Sequence, residues 1–365
     1  MTVCAGIDAR TALEDKRRGW ARYAEELLLA LGNEPGLNLR VLFPNTATGH
    51  AVAARLEGRP NLEVFVTDYA PRTPYPHADE GELAPERWLG KVDLIHSLTR
   101  FVLPTEVRPV VVTVHDVIPL AKPPFKLFLR EDTLHAIEVM RRPGYHVIAN
   151  SELTKRELCA ADVDPRSVTV VLLGAAEAFL RAPSGSVGPR SDDVLYVGGA
   201  EPNKNLPVLV RAVAEARRHR PFRLLLAGAH TWGYDEALGD FVAENWIDRL
   251  GYVEDDALAE LQRRVGMLVF PSLHEGFGLP VLEAMACGTP VICSDIPVLH
   301  EVAGDAALYF APDSIAELRH AIERLHEDHA LGTVLGSRGR ERALTMTWPL
   351  AAKRTHELYR AVVGR

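Results

Sequence analysis

Short apolar runs alternate with helix-like segments along the whole chain, and this alternation restricts the fold more than any other feature. Val3–Ile7, Arg40–Phe43, Leu62–Val66, Leu94–His96, Val110–Val114, His146–Ala149 and Val168–Leu172 read as strands in the first half. In the second half the strand-like runs are Val194–Val197, Arg223–Ala227, Arg249–Gly251, Met267–Phe270, Val291–Cys293 and Ala307–Phe310. Strands separated by helices point to parallel sheets with helices on both faces. The stretch Ala182–Asp193, rich in Pro, Gly, Ser and Asp, is the clearest linker. It divides residues 1–182 from residues 191–348.

Composition limits the function classes. The chain has 365 residues, 47% hydrophobic and 25% charged, an ordinary two-domain composition. A formal charge of −8 excludes a general nucleic-acid binder, which would show a basic excess. Cys4, Cys159, Cys287 and Cys293 form no CxxC pair, so buried reduced thiols are expected. The start MTVCAGIDAR lacks the parts of a signal peptide, and no apolar run approaches the ~20 residues that span a bilayer. A cytoplasmic chain is expected, with peripheral contact at the inner face of the membrane left open. Phe125–Arg142 mixes apolar and basic residues at helical spacing, and its acidic residues favour packing on the domain over lying on a membrane.

Polar residues gather where the strands end. Val3–Ile7 runs into Asp8, Val110–Val114 into His115-Asp116, His146–Ala149 into Asn150-Ser151, and Val194–Val197 into Gly198-Gly199. Two Rossmann-like halves facing across a cleft would bind ligands at these carboxyl ends. The richest such end is Val265–Gly288. There the strand Met267–Phe270 meets Pro271-Ser272, a turn holding Gly276 and Gly278, and then a helix with Pro280 at its start and Gly288 at its stop. Glu275 falls in the turn and Glu283 about one turn into the helix, with free backbone amides between them. Amides that hold a diphosphate and carboxylates that accept sugar hydroxyls suit a sugar nucleotide. The plainer reading is a strand-to-helix turn with two solvated glutamates.

Glu275-Gly-Phe-Gly-Leu-Pro-Val-Leu-Glu283 resembles the Glu-x-seven-Glu signature of family-four retaining glycosyltransferases of the GT-B fold. The resemblance runs from Gly6 to Tyr359. It implies two Rossmann-like domains and a last helix, beginning near Trp348-Pro349, that crosses back to the amino-terminal domain. It further implies that Glu275 orients sugar hydroxyls, Glu283 holds the ribose, and Gly276, Phe277, Gly278 and Leu279 line the diphosphate and sugar. His115 would close the sugar pocket from the other domain, with His96-Ser97 and Pro104 part of the same acceptor-side pattern. Leu195–Asn205 resembles the phosphate-clamping segment, with Gly198, Gly199 and Asn203 on the donor and Lys204 as its cation. Relatives carry an arginine at the position of Gly199 or of Asn203, and this chain has none there. Gly19 matches a glycine of the first loop, where Ala21 replaces a second, and Arg10, Lys16, Arg17, Arg18 and Arg22 make that loop basic. Ala227–His230 and Leu250–Val253 match two further strand ends, Val253 lying against the nucleobase. Asp162-Val-Asp164 follows a helix-like run and not a strand, so no metal or other cofactor is expected.

The implied activity is retaining transfer of a sugar, mannose by the form of the motifs, from a nucleotide-diphosphate donor such as GDP-mannose. The acceptor would be a glycan, a lipid-linked or a small molecule. A sugar-nucleotide epimerase, a phosphorylase and a non-catalytic nucleotide-sugar-binding protein are the alternatives on the same fold.

Overall fold

A computed structural model describes residues 2–13, 19–68, 84–101, 104–121, 129–182, 190–228 and 233–364. The chain forms two compact units, Met1–Leu173 with Trp348–Arg365 and Gly174–Thr347. The first holds β1 (Val3–Asp8), β2 (Leu37–Pro44), β3 (Leu62–Thr67), β4 (Leu94–Ser97), β5 (Val110–Val114), β6 (Tyr145–Ala149) and β7 (Val168–Val170). They make a seven-stranded parallel sheet in the order β3-β2-β1-β4-β5-β6-β7. The second holds β8 (Val194–Val197), β9 (Leu224–Ala227), β10 (Ile247–Gly251), β11 (Met267–Phe270), β12 (Val291–Ser294) and β13 (Ala307–Phe310). Its parallel order is β10-β9-β8-β11-β12-β13.

Every strand-like run of the sequence is a strand here. Strands β5, β9, β11 and β12 are buried at every position, and their uninterrupted apolar runs are what such burial requires. In both sheets the strand order reverses beside the first strand, between β1 and β4 and between β8 and β11. Loops leaving two neighbouring strands there diverge to opposite faces, and ligands of such sheets bind in the crevice between them.

The last helix, Trp348–Val363, belongs to the first unit. Trp348, Ala351, Ala352, Thr355, Tyr359 and Val362 form its buried stripe, which packs on the helix Gly19–Leu31 and on β1. His96 of β4 pins it: Nδ1 lies 2.6 Å from the Tyr359 hydroxyl and Nε2 2.8 Å from Thr113 Oγ1. Both His96 and Tyr359 are fully buried, so His96 serves as an internal strut.

The segment expected as a helix over Phe125–Arg142 is helical over Arg130–Met140, and residues 122–128 lie outside the described ones. Ala136, Ile137, Val139 and Met140 pack into the core under β5 and β6, which accounts for their spacing. Most of the linker, residues 183–189, lies outside the described residues too. Its end is docked: Arg190 donates to the carbonyls of Gln262, Val265 and Gly288 at 2.8, 3.0 and 2.7 Å. All four cysteines are free thiols, Cys287 and Cys293 buried, Cys4 and Cys159 only half-buried.

Candidate functional site

The loops that leave β8 and β11 lie side by side, because these strands are paired through Met267↔Val194 and Leu268↔Leu195. The first loop turns at Gly198-Gly199, passes through a 3-10 turn at Pro202–Lys204, and enters a helix at Leu206. A Cβ on Gly198 would sit 2.8 Å from the Tyr196 hydroxyl, so a larger residue there would have to displace the tyrosine. Tyr196 donates to the Gly199 carbonyl, and Tyr234 donates to that of Gly198 at 3.1 Å. Burial pushes the Tyr234 phenol up to about 12, which keeps it a donor.

The second loop carries Pro271–Gly278 into the helix Leu279–Ala286. Gly278 has φ +105°, a left-handed conformation, and a Cβ there would lie 2.7 Å from Leu299 Cδ2. Only glycine turns the chain this sharply into the helix start. Lys204 Nζ lies 2.6 Å from Glu275 Oε1 and 5.6 Å above the Phe270 ring. Glu275 is 8% exposed and Glu283 1%, which removes the reading of two solvated glutamates. A carboxylate is held at such burial only with partners, and Lys204 is the partner of Glu275.

Apart from Val253, the other expected donor residues of this unit lie on the same two loops and the helix Leu279–Ala286. Phe277 is buried and Leu279 half-buried at the helix start, with the buried Gly276 between Glu275 and Phe277. Asn203 is 1% exposed, its amide donating to the His274 carbonyl at 3.2 Å. Val253 is half-buried just beyond β10, and Ala229 and His230 lie outside the described residues. Gly19 and His115 belong to the first unit.

In that unit Gly19 opens the helix Gly19–Leu31, and among the described residues nothing lies within 4 Å of where a Cβ would be. Lys16, Arg17 and Arg18 lie outside the described residues. Arg10, expected in a basic loop, is instead fully buried. Its Nε and Nη2 bind the two Asp8 carboxylate oxygens at 3.0 and 2.8 Å, with Trp88 5.1 Å beneath the guanidinium.

His115 follows β5 and donates from Nε2 to the Leu98 carbonyl at 3.0 Å. A carbonyl only accepts, so the proton sits on Nε2 and Nδ1 is an acceptor in the neutral ring. Burial pulls the His115 imidazole down to about 4 against that bond, so it is neutral at physiological pH. Tyr23 meets it edge-on at 4.6 Å and Trp20 stacks at 6.1 Å. Arg100, 3% exposed, lies 5.5 Å over Trp20 and 3.9 Å from Asp116. Trp20, Tyr23 and Arg100 carried no motif. Their one signal was spacing, with Trp20 and Tyr23 three apart on an amphipathic helix.

Asp162 and Asp164 close a turn in the first unit. Asp162 has φ +61°, and Asp164 caps a 3-10 turn and pairs with Arg166.

Residues 191–328, which carry both loops, match the family model for glycosyl transferases group 1. O-antigen chain mannosyltransferase B of Escherichia coli is 30% identical over 296 residues, covering 73% of this chain and 74% of that protein. The chain belongs to this glycosyltransferase family. A D-inositol 3-phosphate glycosyltransferase of Kineococcus radiotolerans is also 30% identical, over 60% of this chain and 57% of its own. HepE of Anabaena, solved with UDP and glucose, superposes with a TM-score of 0.77 at 18% identity over 98% of this chain and all of that one. The fold is therefore GT-B in its two parallel-sheet domains.

Proposed function

We propose that this glycosyltransferase moves mannose from GDP-mannose to a glycan, lipid-linked or small-molecule acceptor, with retention and without a metal ion. The observation that carries the reading is the pairing of half-buried Lys204 with buried Glu275 at the switch point between β8 and β11, with Glu283 buried on the helix that follows. Lys204 supplies a cation for the charge that develops on a departing diphosphate. The Gly276–Leu279 backbone, aimed by the helix that follows, adds amide dipoles to the same task. Glu275 orients sugar hydroxyls and Glu283 the ribose. His115 enters as a neutral imidazole.

Retention by double displacement needs a carboxylate nucleophile under the anomeric carbon. Glu275 is engaged by Lys204, so departure and attack on one face is the route proposed, the protein supplying positioning and charge stabilisation. The mannosyl assignment leans on the name of the Escherichia coli relative, and HepE, named with UDP, makes the base the first thing to test. Incubation with GDP-mannose in the presence of chelator should release GDP faster when a mannan or lipid-linked glycan acceptor is added, and the product anomer should match the donor. Release of free sugar alone, or dependence on phosphate, would contradict the transferase reading.

A further inference from the structure

Asn203 and Lys204 adjoin in sequence and together hold three consecutive residues of the loop after β11. The Asn203 backbone carbonyl accepts the Leu273 N–H at 2.8 Å, its side-chain Nδ2 donates to the His274 carbonyl at 3.2 Å, and Lys204 meets Glu275 at 2.6 Å. The partner of the amide is a carbonyl, which only accepts, so the nitrogen end must face it. The side chain is 1% exposed, and its Oδ1 meets no protein donor among the described residues. Asn203 is thus turned inward onto the loop.

We propose that Asn203 is a positioning residue that fixes Leu273–Glu275 and so aims the Glu275 carboxylate, without touching the donor. The inference rests on the reading of Glu275 as the group that orients the donor sugar. Glu275 sits several residues past the end of β11, on a segment whose own ladder has stopped. Bonds at the two preceding residues replace that ladder. A misplacement of about 1 Å at a reacting group can cost about a hundredfold in rate. Nucleotide binding draws on Lys204 and the helix-start amides, so the loss should fall on chemistry.

The test compares wild type with Asn203→Asp, which sets an oxygen against the His274 carbonyl, and Asn203→Leu, which removes the polar group. GDP affinity, melting temperature, and kcat and KM for GDP release from GDP-mannose are measured on each. The expected result is a fall in kcat of about 10- to 100-fold with GDP affinity within about threefold of wild type. In a Glu275→Ala background the same substitutions should change the residual kcat by less than about threefold, since Asn203 acts through Glu275. A GDP affinity that falls as far as kcat overturns the proposal and places Asn203 on the donor. A lower melting temperature with unchanged kcat overturns it as well, leaving a structural role. Should a variant fail to fold, Asn203→Ser carries the same comparison. A wild-type chain that neither binds GDP nor consumes GDP-mannose refutes the parent reading, and this one with it.

Discussion

Lys204 and Glu275 are each other's partners in the free chain, so a change in one is felt by the other. Lys204→Met should weaken GDP binding about 10- to 100-fold, the worth of a charge-assisted hydrogen bond, while guanosine binding stays within about threefold. Titration calorimetry with both ligands checks this, and an equal loss for the two would remove Lys204 from the diphosphate. Glu275→Gln frees the lysine from its carboxylate. Turnover should fall at least about a hundredfold with GDP affinity undiminished. Parallel loss of turnover and binding would instead make Glu275 a binding or folding residue. The two buried histidines give a pH dependence of known sign. Burial holds His96 near 3 and His115 near 4, both below the ordinary 6.5. Between pH 6.5 and 4 the unfolded chain therefore binds protons that the folded chain refuses. Stability from this source is complete above pH 6.5 and is lost as pH falls, by up to about 1.4 kcal/mol per pH unit for each ring. Denaturation midpoints from pH 7 to 4.5 should decline, less steeply in His96→Gln; an unchanged slope in that variant would sink the account.

Among the elements, the last helix shows how a single buried contact couples distant parts of the sequence. Tyr359→Phe leaves His96 Nδ1 buried without its hydroxyl and should cost about 1–3 kcal/mol. Urea unfolding at constant slope reads that loss, and an unaltered midpoint would mean the contact is idle. Strands β5, β9, β11 and β12 were legible because each is an apolar run bounded by turn residues, and burial on both faces demands such runs. The Glu275–Glu283 turn was legible too, since glycine, proline and the flanking carboxylates punctuate it. Tyr196 and Tyr234, which brace Gly198 and Gly199, were not. A tyrosine inside a strand or helix reads as core, and only the fold brings its hydroxyl to a turn carbonyl. Arg10 misled for the reverse reason, because its partner Asp8 and the Trp88 ring meet it only once β1 and its loop are in place.

At the scale of the whole molecule, the division at Leu173 and the return at Trp348 mean that a ligand of the second unit should leave its mark there. With GDP bound, amide exchange should slow at residues 198–205 and 271–288 more than anywhere in β3 or β7. Uniform protection would point to a ligand that merely compacts the chain. The central claim is that the strand ends of β8 and β11 form a nucleotide-diphosphate site served by a lysine. Melting temperature against a panel of GDP, UDP, ADP, CMP and dTDP, with and without chelator, tests it most directly. The account predicts a clear rise with GDP that chelator leaves unchanged and that Lys204→Met diminishes. No rise with any of the five nucleotides would contradict it.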